Sequence, residues 1–345
     1  MYTAFLEQAG KRIAAVRQHA ALSNLLVGLV QKQIEASKSG GGSAILEPIV
    51  QTVPDRVEWR LIEHCSVVTR IYALYEQFAQ EMIREHLSLL QGCSAYSNLC
   101  NELKVTHRKG ISTILDKKDG PRYGGLDLSN LVEQYASALA DKAYVLEPAA
   151  FLVQEQNLRL PELNRLFSGC GIFELASWIE AHDMLKAFFA SGDRLGGSAE
   201  HEMRELIKYR NEAAHGSIEI DDLPGIDYLY EFCDFIAAVC SAIGERVQLA
   251  SANKLIDSRK AIVGGKVSET FRDGQIIVGN FAGRYRIGDS ILLQGLNYCT
   301  AVIVKSLQVN DQNRDEVVLD GGTELGIGIS GCARKRASVI CFAPA

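Results

Sequence analysis

The chain has no C-x-x-C pair, no G-x-x-x-x-G-K-[ST] phosphate loop and no uninterrupted apolar run of membrane-spanning length. Each absence removes a class of protein. The nine cysteines, at positions 65, 93, 100, 170, 233, 240, 299, 332 and 341, have no zinc-type spacing to histidine and are read as reduced, mostly buried thiols. Cys65, Cys233 and Cys240 fall in helical apolar patterns, where cysteine acts as a small hydrophobe. Without the phosphate loop there is no ordinary NTPase cradle. The longest membrane candidate, Ala20 to Val30, is roughly half the length a spanning helix needs and contains Ser23 and Asn24. No membrane partner is therefore expected. The odd number of cysteines and the lack of a secretory leader make the cytoplasm the expected location.

Positive charge is also scarce. With 36 Lys+Arg against 42 Asp+Glu, the formal charge is -6 at pH 7, which excludes a protein that coats nucleic acid through a large basic surface. A local basic site is still open: residues 261–345 hold nine Lys+Arg against eight Asp+Glu, so the acidity lies upstream. What is present is ordinary globular material, 47% apolar and 23% charged, in 345 residues that suit more than one domain.

The periodicity divides the chain into three parts. Residues 1–45 read as an amphipathic N-terminal helix and a flexible linker, because Gly40-Gly41-Gly42, Pro48 and Pro54 interrupt any helix. Residues 46–255 read as an all-α domain. A long helix from Asp55 to about Leu90 recurs apolar at Leu61, Cys65, Val68, Tyr72, Tyr75, Ala79 and Met82. Shorter helices follow over Leu131–Ala143, Leu158–Phe167, Phe173–Ala190, Glu200–His215 and Gly225–Ala250. Residues 260–345 change to short β-rich runs between glycine turns: 275–280, 290–294, 301–309, 316–320, 324–330 and 338–342. Their spacing suits a small closed β-barrel. The fold class is thus multidomain α and β, an all-α bundle followed by a small C-terminal barrel.

Chemistry concentrates in Lys208-Tyr209-Arg210-Asn211-Glu212-Ala213-Ala214-His215-Gly216. On a helix, Asn211 and His215 share a face, whereas Arg210 and His215 lie roughly 140° apart around the axis. Arg210 must reach round, or meet a histidine from a second copy. The plain alternative is that Arg210 pairs with a carboxylate and His215 favours the helix C-terminus. Tyr209 and Glu212 flank the motif; a packed ring and a solvated charge are their default readings. Glu76, on the long helix, is a candidate partner for Arg210, since buried arginine needs a carboxylate. Arg60 and Arg70 lie on the same long helix.

This segment resembles the Arg-Asn-x-x-x-His motif of the HEPN superfamily. The order of the Arg56–Glu76 helix, the Asn157-Leu158-Arg159 to Phe167 stretch with Gly169-Cys170-Gly171 after it, and the motif near the domain end resembles the RiboL-PSP group of HEPN domains over roughly residues 55–250. The resemblance implies a homodimer whose two motif helices form one composite RNA-cutting cleft, without metal or cofactor. Arg210, Asn211 and His215 would be catalytic there, with Glu76, Tyr209 and Glu212 supporting. The implied product is a 2',3'-cyclic phosphate, and the implied role is a toxin or anti-phage effector governed by an antitoxin or other regulatory partner. The alternative is a non-catalytic HEPN module that binds RNA or a partner.

In the last part, Gly274 to Gly279, Ile287 to Ser290, Val302 to Val309 and Leu325 to Ile329 form a pattern that resembles the second-domain β-barrel of translation elongation factors. That resemblance implies recruitment of RNA, transfer RNA included, or of a protein. Arg284, Arg286, Arg334, Lys335 and Arg336 are the candidate phosphate contacts.

Overall fold

A computed structural model describes residues 2–39, 41, 43–153, 156–191, 197–215 and 223–343. Among these, the helices are α1 (Thr3–Lys38), α2 (Glu47–Thr52), α3 (Arg56–Cys93), α4 (Asn101–Asp116), α5 (Leu128–Leu139), α6 (Pro148–Phe151), α7 (Leu160–Ser168), α8 (Leu175–Ala181), α9 (Asp183–Ser191), α10 (Ala199–His215) and α11 (Ile226–Asp257). A curled antiparallel sheet follows.

The body is organised around α3. Asp55 starts it by accepting the backbone N–H groups of Val57 and Glu58, two donors that a helix start leaves without partners. From there the helix runs 38 residues, about 57 Å at 1.5 Å per residue. One stripe, including Val68, Ile71, Tyr72, Tyr75, Phe78, Met82 and Leu90, is wholly buried, and α1, α10 and α11 pack around it.

The N-terminal helix is docked along this body. Ile13, Val16 and Ala20 are buried, Arg17 pairs with Asp234, and the Tyr2 hydroxyl meets Ser251 Oγ at 2.7 Å. At 36 residues α1 extends well beyond Ala20–Val30, and it is long and apolar enough to meet the requirement of a membrane crossing. Leu22, Leu25, Leu26 and Leu29 remain exposed on its outer side. The stretch after it is tied back, since Gln33 exchanges two hydrogen bonds with the backbone of Ser43. Pro48 does not break a helix; it sits in the first turn of α2, where no N–H is needed.

Two expected boundaries move. The apolar run 173–190 divides into α8 and α9 at His182, which adopts an extended conformation and accepts the Met184 N–H on its Nδ1 at 3.3 Å. The last helix runs on to Asp257, so α11 leaves the helical body and reaches the sheet.

The strands are β1 (Ala261–Lys266), β2 (Glu269–Phe271), β3 (Ile276–Arg286), β4 (Ser290–Gln294), β5 (Cys299–Val309), β6 (Gln312–Arg314), β7 (Glu316–Ile329) and β8 (Ser338–Phe342). The order is β1-β8-β4-β5-β7-β3-β2, with β6 paired to β5. All ladders are antiparallel, and the path stops at β1 and β2, giving a half-barrel around Phe281, Tyr285, Leu293, Val304, Leu325 and Val339. The two runs expected at 316–320 and 324–330 are one strand. It passes through Gly321 (φ +97°), and the ladder shifts register opposite, between Asn280 and Ala282. Between β5 and β6, Asn310 and Asp311 both have positive φ, the two-residue turn that suits a tight hairpin.

The half-barrel docks on α11. Gln248 Nε2 donates to the Cys299 carbonyl at 2.7 Å, Glu245 accepts the Cys299 N–H at 2.8 Å, and Leu249, Ala252, Leu292 and Ile340 share one apolar cluster. All nine cysteines are free thiols, five of them buried.

Two predictions follow from this packing. A Cβ on Gly110 of α4 would stand 1.8 Å from the Ala150 carbonyl oxygen of α6, so Gly110→Ala is expected to cost about 3 kcal/mol in urea unfolding. Burial holds His64, His86 and His107 down to about 4, against 6.5 when unfolded. Their contribution to stability is complete above pH 6.5 and is lost as pH falls from there through 4. Each should forfeit up to about 2 kcal/mol at pH 5 relative to pH 7. His107→Phe, whose ring stacks on Phe151, should flatten that slope in unfolding titrations.

Candidate active site

The motif occupies the last turns of α10, with Tyr209 buried and Arg210 and Asn211 half-buried. His215 is the final residue of the helix; its side chain and Gly216 lie outside the described residues. Five residues of helix separate Arg210 from His215, so the backbone places them on different faces, as the spacing requires.

Arg210 is held by two contacts. Its guanidinium carbon sits 5.1 Å from the centre of the Tyr72 ring, a cation–π contact from α3. Its Nη1 donates to Asn211 Oδ1 at 3.0 Å. The same oxygen has Asn157 Nδ2 at 3.5 Å, the outer limit of a hydrogen bond. Arg210 Nε, by contrast, is buried with no hydrogen-bond partner among the described residues. A buried guanidinium N–H without an acceptor is costly, and an anionic oxygen would satisfy it.

The wall facing Arg210 is built by α3 and the segment leading into α7. Tyr72 donates its hydroxyl hydrogen to Glu76 Oε1 at 2.8 Å and accepts the Leu158 N–H at 2.9 Å. Tyr75 donates to the Leu158 carbonyl at 2.9 Å. Both backbone polar groups of Leu158 are thereby bound to α3, and Asn157 is brought beside Asn211. Burial, reinforced by the Glu76 charge, pushes the Tyr72 hydroxyl well above its ordinary range, so it remains a neutral donor.

Glu76 therefore does not hold Arg210 directly. No ion pair joins them among the described residues; Glu76 orients the Tyr72 hydroxyl, and the Tyr72 ring carries Arg210. Tyr209 points away from this cluster, placing its hydroxyl 2.7 Å from His64 Nδ1. His64 is kept neutral by burial and by Arg60, and Tyr209 is pushed up by burial. Glu212 lies 4.0 Å from Lys208, a helix-surface pair. Among the described residues no group of three His, Cys, Asp or Glu converges to hold a metal ion.

The barrel arginines do not form one patch. Arg284 is paired with Glu316 at 2.6 Å, and Arg286 is exposed one step further along β3. Arg334 pairs with Asp183 of α9 at 2.6 Å and lies over Tyr298, while Lys335 and Arg336 are exposed beside it. The Ala333 N–H bonds to the Gly274 carbonyl, at the opposite end of β3 from Arg284. Arg60 donates to the carbonyls of Leu223 and Pro224 and is occupied in holding the approach to α11.

Tyr72 and Asn157 are the residues around Arg210 and Asn211 that motif reading passes over. Tyr72 lies in the buried stripe of α3 and reads as packing; its hydroxyl one turn before Glu76 was the available signal.

A helical body with a long central helix, and an Arg-Asn-x-x-Ala-His helix end set against it, define an HEPN-type domain. Residues 43–248 match the RiboL-PSP-HEPN family, and because the match takes in more than half of the chain, the protein belongs to that family. Among curated proteins no match is found. The matched region begins after α1 and ends within α11.

Removing the Tyr72 hydroxyl leaves the buried Leu158 N–H unpaired while keeping the ring under Arg210. Tyr72→Phe is expected to lower stability by about 1–2 kcal/mol in denaturant titrations. Tyr72→Leu, which also removes the ring, is expected to cost more.

Proposed function

We propose that the protein is a metal-independent RNA endonuclease, used as a toxin or anti-phage effector, that cuts at a composite site between two copies of the chain. The observation that carries this reading is the buried Nε of Arg210, without a hydrogen-bond partner among the described residues, beside Asn211 in an HEPN-type motif of a RiboL-PSP-HEPN protein. A guanidinium fixed by a ring and an amide oxygen, with a buried N–H that has no partner among the described residues, is arranged for a phosphate oxygen.

The chemistry needs no other group. The 2'-hydroxyl attacks the adjacent phosphorus as His215 accepts its proton, and charge builds on the non-bridging oxygens facing Arg210. The 5'-oxygen then leaves with a proton, giving a 2',3'-cyclic phosphate and a 5'-hydroxyl. Base and acid must stand on opposite sides of the phosphate. Two copies of α10 related by a two-fold axis supply two Arg210 and two His215 to one cleft, which answers the angular separation of the two residues within one helix. Asn211, its oxygen occupied by Arg210, orients the motif.

The half-barrel serves recruitment. Its likeness to the elongation-factor second domain, read from glycine-spaced strands, makes transfer RNA the first substrate to test. Arg286, Lys335 and Arg336 are the exposed basic residues for this, whereas Arg284 and Arg334 are engaged in ion pairs. Fold likeness alone does not fix a substrate.

Purified protein incubated with total RNA in EDTA should give discrete fragments ending in 2',3'-cyclic phosphate. Arg210→Ala and His215→Ala should each lower the cleavage rate about 100-fold or more. Equal RNA binding by wild type and His215→Ala, with product from neither, would instead establish a non-catalytic binding module.

A further inference from the structure

A cavity of about 280 Å³ opens between α1, the first turns of α3 and Ile226 at the start of α11, and His64, whose Nδ1 meets the Tyr209 hydroxyl, is part of its wall. Its polar lining is mostly on α3, from Arg56, Trp59, Arg60, Glu63 and His64, and α1 contributes Asn24.

Glu63 sets the chemistry of the cavity. It is only 8% exposed, and its Oε1 is buried without a hydrogen-bond partner among the described residues. Its Oε2 lies 3.9 Å from His19 Nε2, beyond hydrogen-bond length. Neighbouring donors are committed elsewhere. His64 Nδ1 meets the Tyr209 hydroxyl, Trp59 Nε1 donates to Ser23 Oγ at 2.9 Å, and Arg60 Nη2 is held by the carbonyls of Leu223 and Pro224. A buried carboxyl oxygen left this way is unfavourable until a ligand brings it an N–H.

We propose that this cavity binds a guanine nucleotide, with the guanine edge on Glu63, the ring against Trp59 and the phosphate toward Arg56. Guanine is the base that presents two adjacent donors, N1–H and the N2 amino group, to the two oxygens of one carboxylate. Adenine, cytosine and uracil each set an acceptor beside their donor, which a carboxylate repels. Trp59 is fixed by its bond to Ser23 and supplies an aromatic wall of the kind on which bases stack. Arg56 is exposed at the start of α3 and answers the negative charge of a phosphate. The volume lies near the lower end of ligand cavities, which range over roughly 300–1,000 Å³, and suits one nucleotide rather than a strand.

The guanine has two possible sources. As a base of an RNA chain next to the scissile phosphate it would give the nuclease its sequence preference, a use that rests on the function proposed above. As a free nucleotide it would report to the Arg210 cluster through the contact of His64 with Tyr209.

Calorimetric titration of the full chain with GMP, AMP, CMP and UMP tests the site without any cleavage. GMP should bind about tenfold or more tightly than the others. Glu63→Gln should remove that preference while its thermal unfolding stays close to wild type. Arg56→Ala should weaken GMP but leave guanosine unchanged. Competition with a guanine-containing oligonucleotide, carrying 2'-deoxyribose to block cleavage, separates the sources: displacement of GMP identifies a base-reading subsite, and failure to displace it identifies a free-nucleotide site. Equal binding of all four nucleotides, no GMP binding at millimolar concentration, or an unchanged preference in Glu63→Gln would each overturn the proposal. A nuclease with none of this preference would leave the cutting site intact and remove only the guanine pocket.

Discussion

Two phenol groups one turn apart on α3, those of Tyr72 and Tyr75, take the N–H and the C=O of Leu158 between them. The backbone of a residue in a connecting segment would ordinarily turn to water; here Leu158 is buried, and both its N–H and its C=O are satisfied by side chains. The position of Asn157, the start of α7 and the wall against Arg210 all depend on that bond pair. Because the ring of Tyr72 also lies under the Arg210 guanidinium, the same residue sets the backbone and the charge. Among the described residues no ion pair to Arg210 is found, so its guanidinium is held against a ring and an amide oxygen.

What could be read from the sequence was whatever depends on local pattern. The extent of α3 follows from an apolar stripe repeated for ten turns and from an Asp at its start, and α10 follows from the same logic. The strands at 290–294 and 338–342 were legible as short apolar runs that begin after polar or charged turn residues. The division of 173–190 was not legible, because it depends on His182 capping α9, which leaves the apolar spacing unchanged. The short β1, β2 and β6 were missed because they are formed by pairing rather than by composition; Gln312–Arg314 is entirely exposed and acquires its shape from a two-residue turn. At the site, Arg210 and Asn211 were visible as a motif. The part played by Tyr72 was not, since a buried tyrosine in a helical stripe looks the same whether or not its hydroxyl has work to do. Glu76 was found, but one contact too close.

The helical body and the half-barrel are connected through α11 rather than through a loose tether. Its central turns pack on α3 and α1, and its later turns present Glu245, Gln248, Leu249 and Ala252 to the sheet. The bonds to Cys299 place a charged oxygen and an amide on the backbone at the start of β5, so the sheet is oriented by hydrogen bonds as well as by apolar contact. Arg334 on Asp183 adds a second attachment from the other side. A substrate held by the half-barrel would therefore have a defined direction relative to α10.

The hydroxyl of Tyr2 meets that of Ser251, 249 positions later, and His86 of α3 bonds to the same Ser251 oxygen. The first turn of the chain thus has its partner only after α11 has been made. During vectorial synthesis α1 and α3 emerge long before the helix that covers them, and the buried stripe around Tyr72 and Tyr75 cannot close until then. A polypeptide cut short before residue 251 would leave both the Tyr2 hydroxyl and His86 Nδ1 without that partner, so the N-terminal turn is secured only near the completion of the helical body.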